Sequence, residues 1–489
     1  MEEDNYFDAC VIGSGMAGLT TASLLAQQGL KVGVLEQNWL PGGCTSSYWR
    51  KGFVFESGAT TLVGLERNMP LGYLTKKTGI EISAKKLALP MQVHLKNGTI
   101  LNRYHNLEEW IKEAEAKFGK KNQRKFWELC FKISEFVWDT SLKQKMFPPE
   151  KMVDLINAAK NASLKQVKFI PYAFMSMKAL LKKLDLLDNQ YFVDFCNEQL
   201  LITAQNHIEE VNVLFGATAL CYTNYPNYYV DGGLINLVNP FVDYIENKHG
   251  KVILRCGVEK ISKKDGLYHI QTKKKGNFKC EYLISSIPVN NTLELLDFEA
   301  KPQFKKGLLE SKRLNSAFQM GIGFQSDKKF DAIHHQLHLE TPLPEVGSAS
   351  IFISLSHETD TTRADEAGHK VASVSTHVHD PENNFIENKE KAENAVIDKL
   401  ESLGFLKWED IKYMHSSTPK AWHKWTRREF GFVGGYPQYM SIKPWQMLGA
   451  RLDGQKAYLC GDTTYPGQGI PGATLSGIIA FEKLAKDHL

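Results

Sequence analysis

Residues 6–36 read YFDACVIGSGMAGLTTASLLAQQGLKVGVLE, and most of the chain can be placed relative to what this stretch should hold. The apolar run Tyr6–Ile12 suits a buried parallel strand. Gly13-Ser14-Gly15-Met16-Ala17-Gly18 follows at once, and an apolar stripe at Leu19, Ala22, Leu25 and Ala26 predicts a helix closed by Gly29. A second strand over residues 31–35 ends at Glu36. Strand, G-x-G-x-x-G turn, helix, strand and acidic residue together make one βαβ dinucleotide-binding unit. Gly13 allows the tight turn, Gly15 lets backbone N–H groups approach a diphosphate, and Gly18 lets helix and strand pack closely. The helix head offers the positive end of its dipole to the phosphates. Glu36, 18 residues beyond Gly18, is placed to accept from a ribose hydroxyl. This unit alone leaves NAD and FAD both open.

Length and composition bound the rest. A chain of 489 residues exceeds one compact core and predicts two or three folded units. Hydrophobic content of 43% and charged content of 23% are ordinary for a globular protein. The net charge of +4 is small for this length, which argues against nucleic acid as a partner. The start MEEDNYFDAC lacks the basic and apolar regions of a secretory signal. Eight cysteines are scattered without a C-x-x-C pair, so the expectation is no metal site, no disulfide framework and a cytoplasmic setting. Residues 211–230 and 463–481 are uncharged but broken by Asn, Pro or Gly, so no spanning helix is expected.

After Glu36 the Pro/Gly-rich loop from Gln37 through Gly43, Cys44 and Thr45 can bring backbone donors to an anion, or can serve as a plain surface connection. Near the other end, residues 456–460 read as a strand, Gly461-Asp462 ends it, and a glycine-rich turn at 466–472 leads into a helix over 473–484. Ligands of open α/β sheets sit beyond the carboxyl ends of strands, where helices begin. Pairing this second turn with the first favours FAD over NAD, because an NAD dehydrogenase need not bring its last residues back to the first βαβ unit.

G-S-G-M-A-G, L-P-G-G-C-T-S-S, G-F-V-F-E-S-G-A, Y-V-D-G-G-L-I-N-L at Tyr229–Leu237 and Y-L-C-G-D-T-T-Y-P-G-Q-G-I-P-G-A-T-L-S-G at Tyr458–Gly477 resemble FAD-dependent carotenoid desaturases. Carotenoid isomerases and retinol saturases are close relatives, all within the flavin amine oxidase superfamily. The resemblance implies cofactor contacts by Gly13, Ser14, Gly15, Met16, Ala17, Gly18, Glu36, Gln37, Gly43, Cys44, Thr45, Gly58, Ala59, Thr60, Gly461, Asp462, Gly469 and Ile470, and by the Val258 backbone near the adenine. It implies that Asp462 accepts from a ribityl hydroxyl. Many amine oxidases carry Arg after the Gly-Gly pair, whereas this chain has Cys44-Thr45, nearer the isomerase-like version.

Between the ends, residues 107–140 read as amphipathic helix. Residues 141–190 carry nine Lys against four acidic residues, with an apolar stripe at Val167, Ile170, Phe174, Met177, Leu181 and Leu184 interrupted at Pro171. Attachment to an anionic membrane surface and ordinary packing on the protein's own core both account for that face. Residues 316–324, 348–356 and 370–377 are strand-like. His334, His335 and His338, and His377 with His379, lack the cysteine or paired carboxylates a metal would need, so no metal is expected. Trp422, Trp425, Phe430, Phe432, Tyr436 and Tyr439, with glycines between, suit a flat apolar ligand.

The expected fold is α/β, with a Rossmann-like FAD-binding domain (1–75, 226–300 and 440–489) interleaved with an α+β substrate domain (76–225 and 301–439) whose helical part at 107–225 is the membrane-facing candidate. The expected partner is an apolar small molecule, a polyene or isoprenoid lipid by resemblance, with FAD as the reactive group and no catalytic side chain nominated. Two alternatives stand beside it: a flavin amine oxidase on a small amine, and a prenyl-binding escort protein of the same fold without cofactor. Intact Gly13, Gly15, Gly18, Glu36 and Asp462 argue against the escort reading.

Overall fold

The computed structural model describes residues 5–161 and 168–489. Val167, in the basic amphipathic segment, and the first four residues lie outside the described residues. Tyr6–Ile12 forms the centre of a seven-stranded sheet ordered Val258–Lys264, Leu267–Thr272, Asn277–Ser285, Tyr6–Ile12, Val32–Leu35, Lys251–Ile253, with Ala457–Leu459 also paired to Asn277–Ser285. Asn277–Ser285 is long enough to take the antiparallel strand Leu267–Thr272 along its first half and the parallel Ala457–Leu459 along its second. Strand Tyr6–Ile12 is apolar from Ala9 onward because both its faces are covered there: Ala9 and Val11 join one core cluster, Cys10 and Ile12 another.

The helix Met16–Gln27 is buried along nearly its whole length, which explains its lack of a polar face. Its closest partner is the last helix, Gly469–His488. The two axes approach at Gly477, where a Cβ would collide with the carbonyl oxygen of Ala17, and Thr21 Oγ1 donates to the Gly477 carbonyl at 2.9 Å. The chain's beginning and end are therefore packed together. They also share Ser286, whose N–H donates to Ile12 O and whose side chain lies against Gly13 and Gly18. Helix Ile235–Asn247 completes this layer through Leu237, Val238, Phe241 and Ile245.

The second sheet also has seven strands, ordered Ile411–Ser417, Asn315–Gln325, His369–His379, Ser350–Leu355, His334–His338, Met91–His94, Ile100–Arg103. It is antiparallel except where His334–His338 pairs with Met91–His94. Helix Lys389–Ser402 covers it through Ala392, Val396, Ile397 and Leu400. Leu107–Phe118, Gln123–Lys143, Gln190–Ala204 and Val213–Leu220 form a helical unit around Trp110, Trp127, Phe192 and Phe195.

The basic segment 141–190 differs from the single amphipathic face expected. Met152–Lys160 is one helix, Ile170–Phe174 is a short 3₁₀ turn around Pro171, and Ser176 caps a new helix, Met177–Lys183. The stripe accordingly divides: Met177, Leu181 and Leu184 enter the core, while Ile170 (51%) and Phe174 (57%) remain exposed. No helix among the described residues is long and apolar enough to cross a membrane. The eight cysteines are unpaired, and all but Cys44 are buried.

Candidate functional site

A cavity of about 1230 Å³ opens at the carboxyl ends of the first sheet's parallel strands and runs on beneath the second sheet. Gly13, Ser14, Gly15, Met16, Ala17, Glu36, Gln37, Gly43, Cys44, Thr45, Gly58, Ala59, Thr60, Val258, Gly461, Asp462, Gly469 and Ile470 all line it. Gly18 does not. A Cβ there would collide with Gly13 O and Ser286 Oγ, so its place is the helix–strand contact. Gly15 behaves oppositely: a Cβ would meet no atom within 4 Å, and its φ of −64° suits any residue. Packing does not explain that glycine, whereas room for a ligand against the backbone does.

Two helix heads reach this end of the cavity. Gly15 begins Met16–Gln27, Gln468 begins Gly469–His488, and neither helix has a side-chain cap. Their first N–H groups and dipole ends are offered to an anion or to an electron-rich ring edge. The Glu36 carboxylate is held in place by Ser14 N–H (2.9 Å) and Ser14 Oγ (2.7 Å) on one oxygen and by Asn38 N–H (2.8 Å) on the other. Asp462 receives the Arg428 guanidinium at 2.6 Å. Open space over Gly15, two uncapped helix heads and a fixed acceptor at the end of the second strand fit FAD.

The rest of the cavity is apolar. Phe136, Val137 and Trp138 come from Gln123–Lys143, Leu214, Phe215 and Ala219 from Val213–Leu220, and Ala317 and Phe352 from the second sheet. Apart from the exposed Arg50, the polar groups discussed next are uncharged at neutral pH. Burial pushes His377 and His415 down to about 4 and pushes Tyr48 up to about 12. Tyr48 Oη lies 2.6 Å from His415 Nε2, and Gln205 Nε2 lies 3.2 Å from His377 Nε2. Thr60 accepts from Ser354 Oγ at 2.8 Å, which in turn meets His334 Nδ1 at 2.7 Å. Of the remaining histidines read from sequence, His335 Nε2 is tied to Ala332 O and His379 Nδ1 to Asn315, while His338 is buried with its Nε2 unpartnered. Among the described residues no group of three His, Cys, Asp or Glu side chains could hold a metal.

The aromatic run near residue 430 serves two purposes rather than one. Trp422 and Trp425 line the cavity, but Phe430, Phe432, Tyr436 and Tyr439 turn away into a cluster with Leu309 and Leu314. The turn is enforced at Gly431 (φ +64°), where any Cβ would collide with Pro419 O. Arg428, one of two adjacent arginines, and Gln205, in the polar run Gln205-Asn206-His207, had no functional signal in the sequence, and His377 with His379 points there only to a metal.

Comparison with known proteins places these features. The family model described as flavin containing amine oxidoreductase matches residues 16–483. Prolycopene isomerase 1 (chloroplastic) of an Oncidium hybrid cultivar is 25% identical over 510 residues, covering 100% of this chain and 85% of the relative. The all-trans-retinol 13,14-reductase of Danio rerio is 24% identical over 339 residues, 66% of this chain and 54% of that protein. In fold, the chain is similar to an oxidoreductase from Methanosarcina mazei, with a TM-score of 0.66 at 16% identity over 97% of this chain and 99% of that one. The family match begins within the first glycine turn and runs through the second sheet and the second glycine turn, and the chain belongs to the flavin-containing amine oxidoreductase family, with FAD as its cofactor.

Proposed function

We propose that this protein is an FAD-dependent oxidoreductase, acting as a desaturase, saturase or isomerase on carbon–carbon double bonds of a long apolar polyene or isoprenoid lipid. The single observation that carries the reading is the continuity of the cavity from the Gly15 turn to the arm lined by Phe136, Leu214 and Phe215. Its volume of about 1230 Å³ exceeds the roughly 300–1,000 Å³ of a pocket for one small molecule. An apolar lining of Phe136, Leu214 and Phe215, with the cation Arg50 near Tyr48 and His415, favours hydrocarbon over a small amine, whose ammonium would need a carboxylate. The similarity to a prolycopene isomerase and a retinol reductase supports the same substrate class.

In this reading the segments 1–75, 226–300 and 440–489 form the cofactor domain, and 76–225 with 301–439 the substrate domain. Gly13–Ala17 and the head of Gly469–His488 hold the diphosphate and the ring edge, Glu36 holds the ribose, and Gln37, Gly43–Thr45, Gly58–Thr60 and the Val258 backbone line the remaining length. Asp462 keeps its second oxygen for a ribityl hydroxyl. FAD, when bound, supplies the two-electron chemistry. The protein's part is to orient the polyene against the flavin, to exclude water with Phe136, Trp138 and Phe215, and to keep Tyr48, His377 and His415 uncharged beside it.

The substrate enters from a membrane surface. Ile170 and Trp445 line the cavity's rim and are half exposed; the Phe174 ring packs tilted against Trp445 with centroids 5.4 Å apart, and Lys443 lies over Phe174 at 5.5 Å. Exposed rings and an aliphatic side chain beside lysine match the interfacial region of an anionic bilayer. The test is to incubate oxidised and reduced holoprotein with poly-cis carotenoids and retinoids in liposomes, and with a panel of small amines. A flavin-dependent change in double-bond number or geometry, read by chromatography, is expected. Hydrogen peroxide released with amines and no change in any polyene would refute the reading.

A further inference from the structure

The cofactor end of the cavity contains one cation withdrawn from solvent. Arg428 follows the helix Pro419–Thr426, and its side chain is only 12% exposed. The other basic side chains of the wall, Arg50, Lys273 and Arg427, are exposed. Arg428 Nη2 donates to Asp462 Oδ2 at 2.6 Å, the guanidinium lies 4.9 Å from the centre of the Phe432 ring, and Nη1 is buried with no hydrogen-bond partner.

The backbone around it is a strap tied at both edges of the cavity. Thr426 O accepts from Gln37 Nε2 at 3.2 Å on the side of the second strand. Arg427 O accepts from Asn291 Nδ2 at 2.7 Å, and Glu429 receives Asn290 Nδ2, both on the side of the turn after Ser286. His423 Nδ1 meets Arg428 O at 2.7 Å. Residues 426–429 are thus fixed so that one side chain points inward.

Electrostatics call for a cation there. Without Arg428 this end would present Glu36 and Asp462, two carboxylates, to an anionic diphosphate, and the Gly42-Gly43-Cys44 loop brings no basic side chain. A buried guanidinium nitrogen left unpaired is costly and is satisfied by an anion that docks against it. We propose that Arg428 is a cofactor-binding residue that reaches across from the substrate side of the fold and donates through Nη1 to the FAD diphosphate. The assignment rests on FAD occupying this cavity.

The experiment uses full-length apoprotein titrated with FAD by flavin fluorescence, alongside thermal melts of each apoprotein. R428Q should weaken FAD by ~10- to 100-fold, the worth of one charge-assisted hydrogen bond. The same loss should appear when R428Q is added to D462N, because the contact does not pass through Asp462. R428K, which keeps the charge without the fork, should fall between, with an unchanged melt. An R428Q protein with wild-type affinity overturns the proposal, as does a D462N background in which R428Q has no further effect. If R428Q fails to fold, R428K decides, and an affinity equal to wild type overturns it. A wild-type protein that takes up no FAD overturns the cofactor assignment as well, whereas these outcomes in a protein that binds FAD overturn only the role of Arg428.

Discussion

Gly15→Val separates cofactor binding from folding more cleanly than any other single change in this protein. The φ and ψ of Gly15, −64° and 168°, lie in extended backbone that valine adopts freely. A Cβ at this position meets no atom within 4 Å, so the branch point of the new side chain stands in open space. Replacing glycine restrains the unfolded chain by about 0.4–1 kcal/mol, and losing glycine at the helix N-cap offsets that by a few tenths. The apoprotein should therefore melt within a few degrees of wild type. The space the new side chain fills is the approach to the head of Met16–Gln27, where the diphosphate would take backbone N–H groups. Displacing it loses about two charge-assisted hydrogen bonds of roughly 1.5–3 kcal/mol each, or about 10²- to 10⁴-fold in FAD affinity. Fluorescence titration and calorimetry on the same preparation read both quantities. Gly18→Ala is the control with the opposite signature, since its Cβ collides with Gly13 O and the protein should be destabilised. A Gly15→Val protein that binds FAD like wild type, or one that no longer folds, would refute the reasoning.

Other expectations follow from separate parts of the fold. Arg451 is fully buried between Asp154 and Asp487, with Glu150 and Lys483 beside it, so Arg451→Met should cost about 3–5 kcal/mol of stability by calorimetry through the carboxylates it leaves unpaired. Burial alone would raise the Asp487 carboxyl, but Arg451 and Lys151 hold it down from 3.8 to about 2. Its contribution, about 2 kcal/mol, is present above pH 4 and is lost as pH falls through 2; melts at pH 5 and pH 2.5 should show the loss in wild type and a smaller one in Arg451→Met, where Lys151 remains. Thr218→Phe, in the apolar arm, should abolish turnover of a polyene while FAD affinity stays within about twofold, read by chromatography and titration. Replacing Ile170, Phe174 and Trp445 together by Ser should reduce sedimentation with anionic vesicles by about tenfold and leave the melt unchanged, because all three are already exposed.

The cofactor end was legible because its signals are local: glycine spacing, the helix stripe and Glu36 fall within 31 consecutive residues. The second turn was readable for the same reason, although its proximity to the first came from resemblance and is realised through Gly477 and Thr21. Strands Met91–His94 and Ile100–Arg103 escaped, since their partner for the sheet, His334–His338, lies some 240 residues away and offers no local pattern. The basic segment misled because its apolar spacing is helical while Pro171 and Ser176 redirect the backbone, sending half of the stripe to the core. Arg428 had no sequence signal, because a buried cation is defined by what surrounds it. The aromatics at 430–439 looked alike in sequence, and only the Gly431 turn decides which of them face the cavity.

The most direct measurement on the central claim is the stoichiometric titration of the purified apoprotein with FAD, followed by flavin fluorescence and by the visible spectrum of the recovered complex. Both ends of the chain folded around one nucleotide predict a yellow protein that saturates at one FAD per chain. A colourless protein whose titration shows no saturable uptake would contradict it.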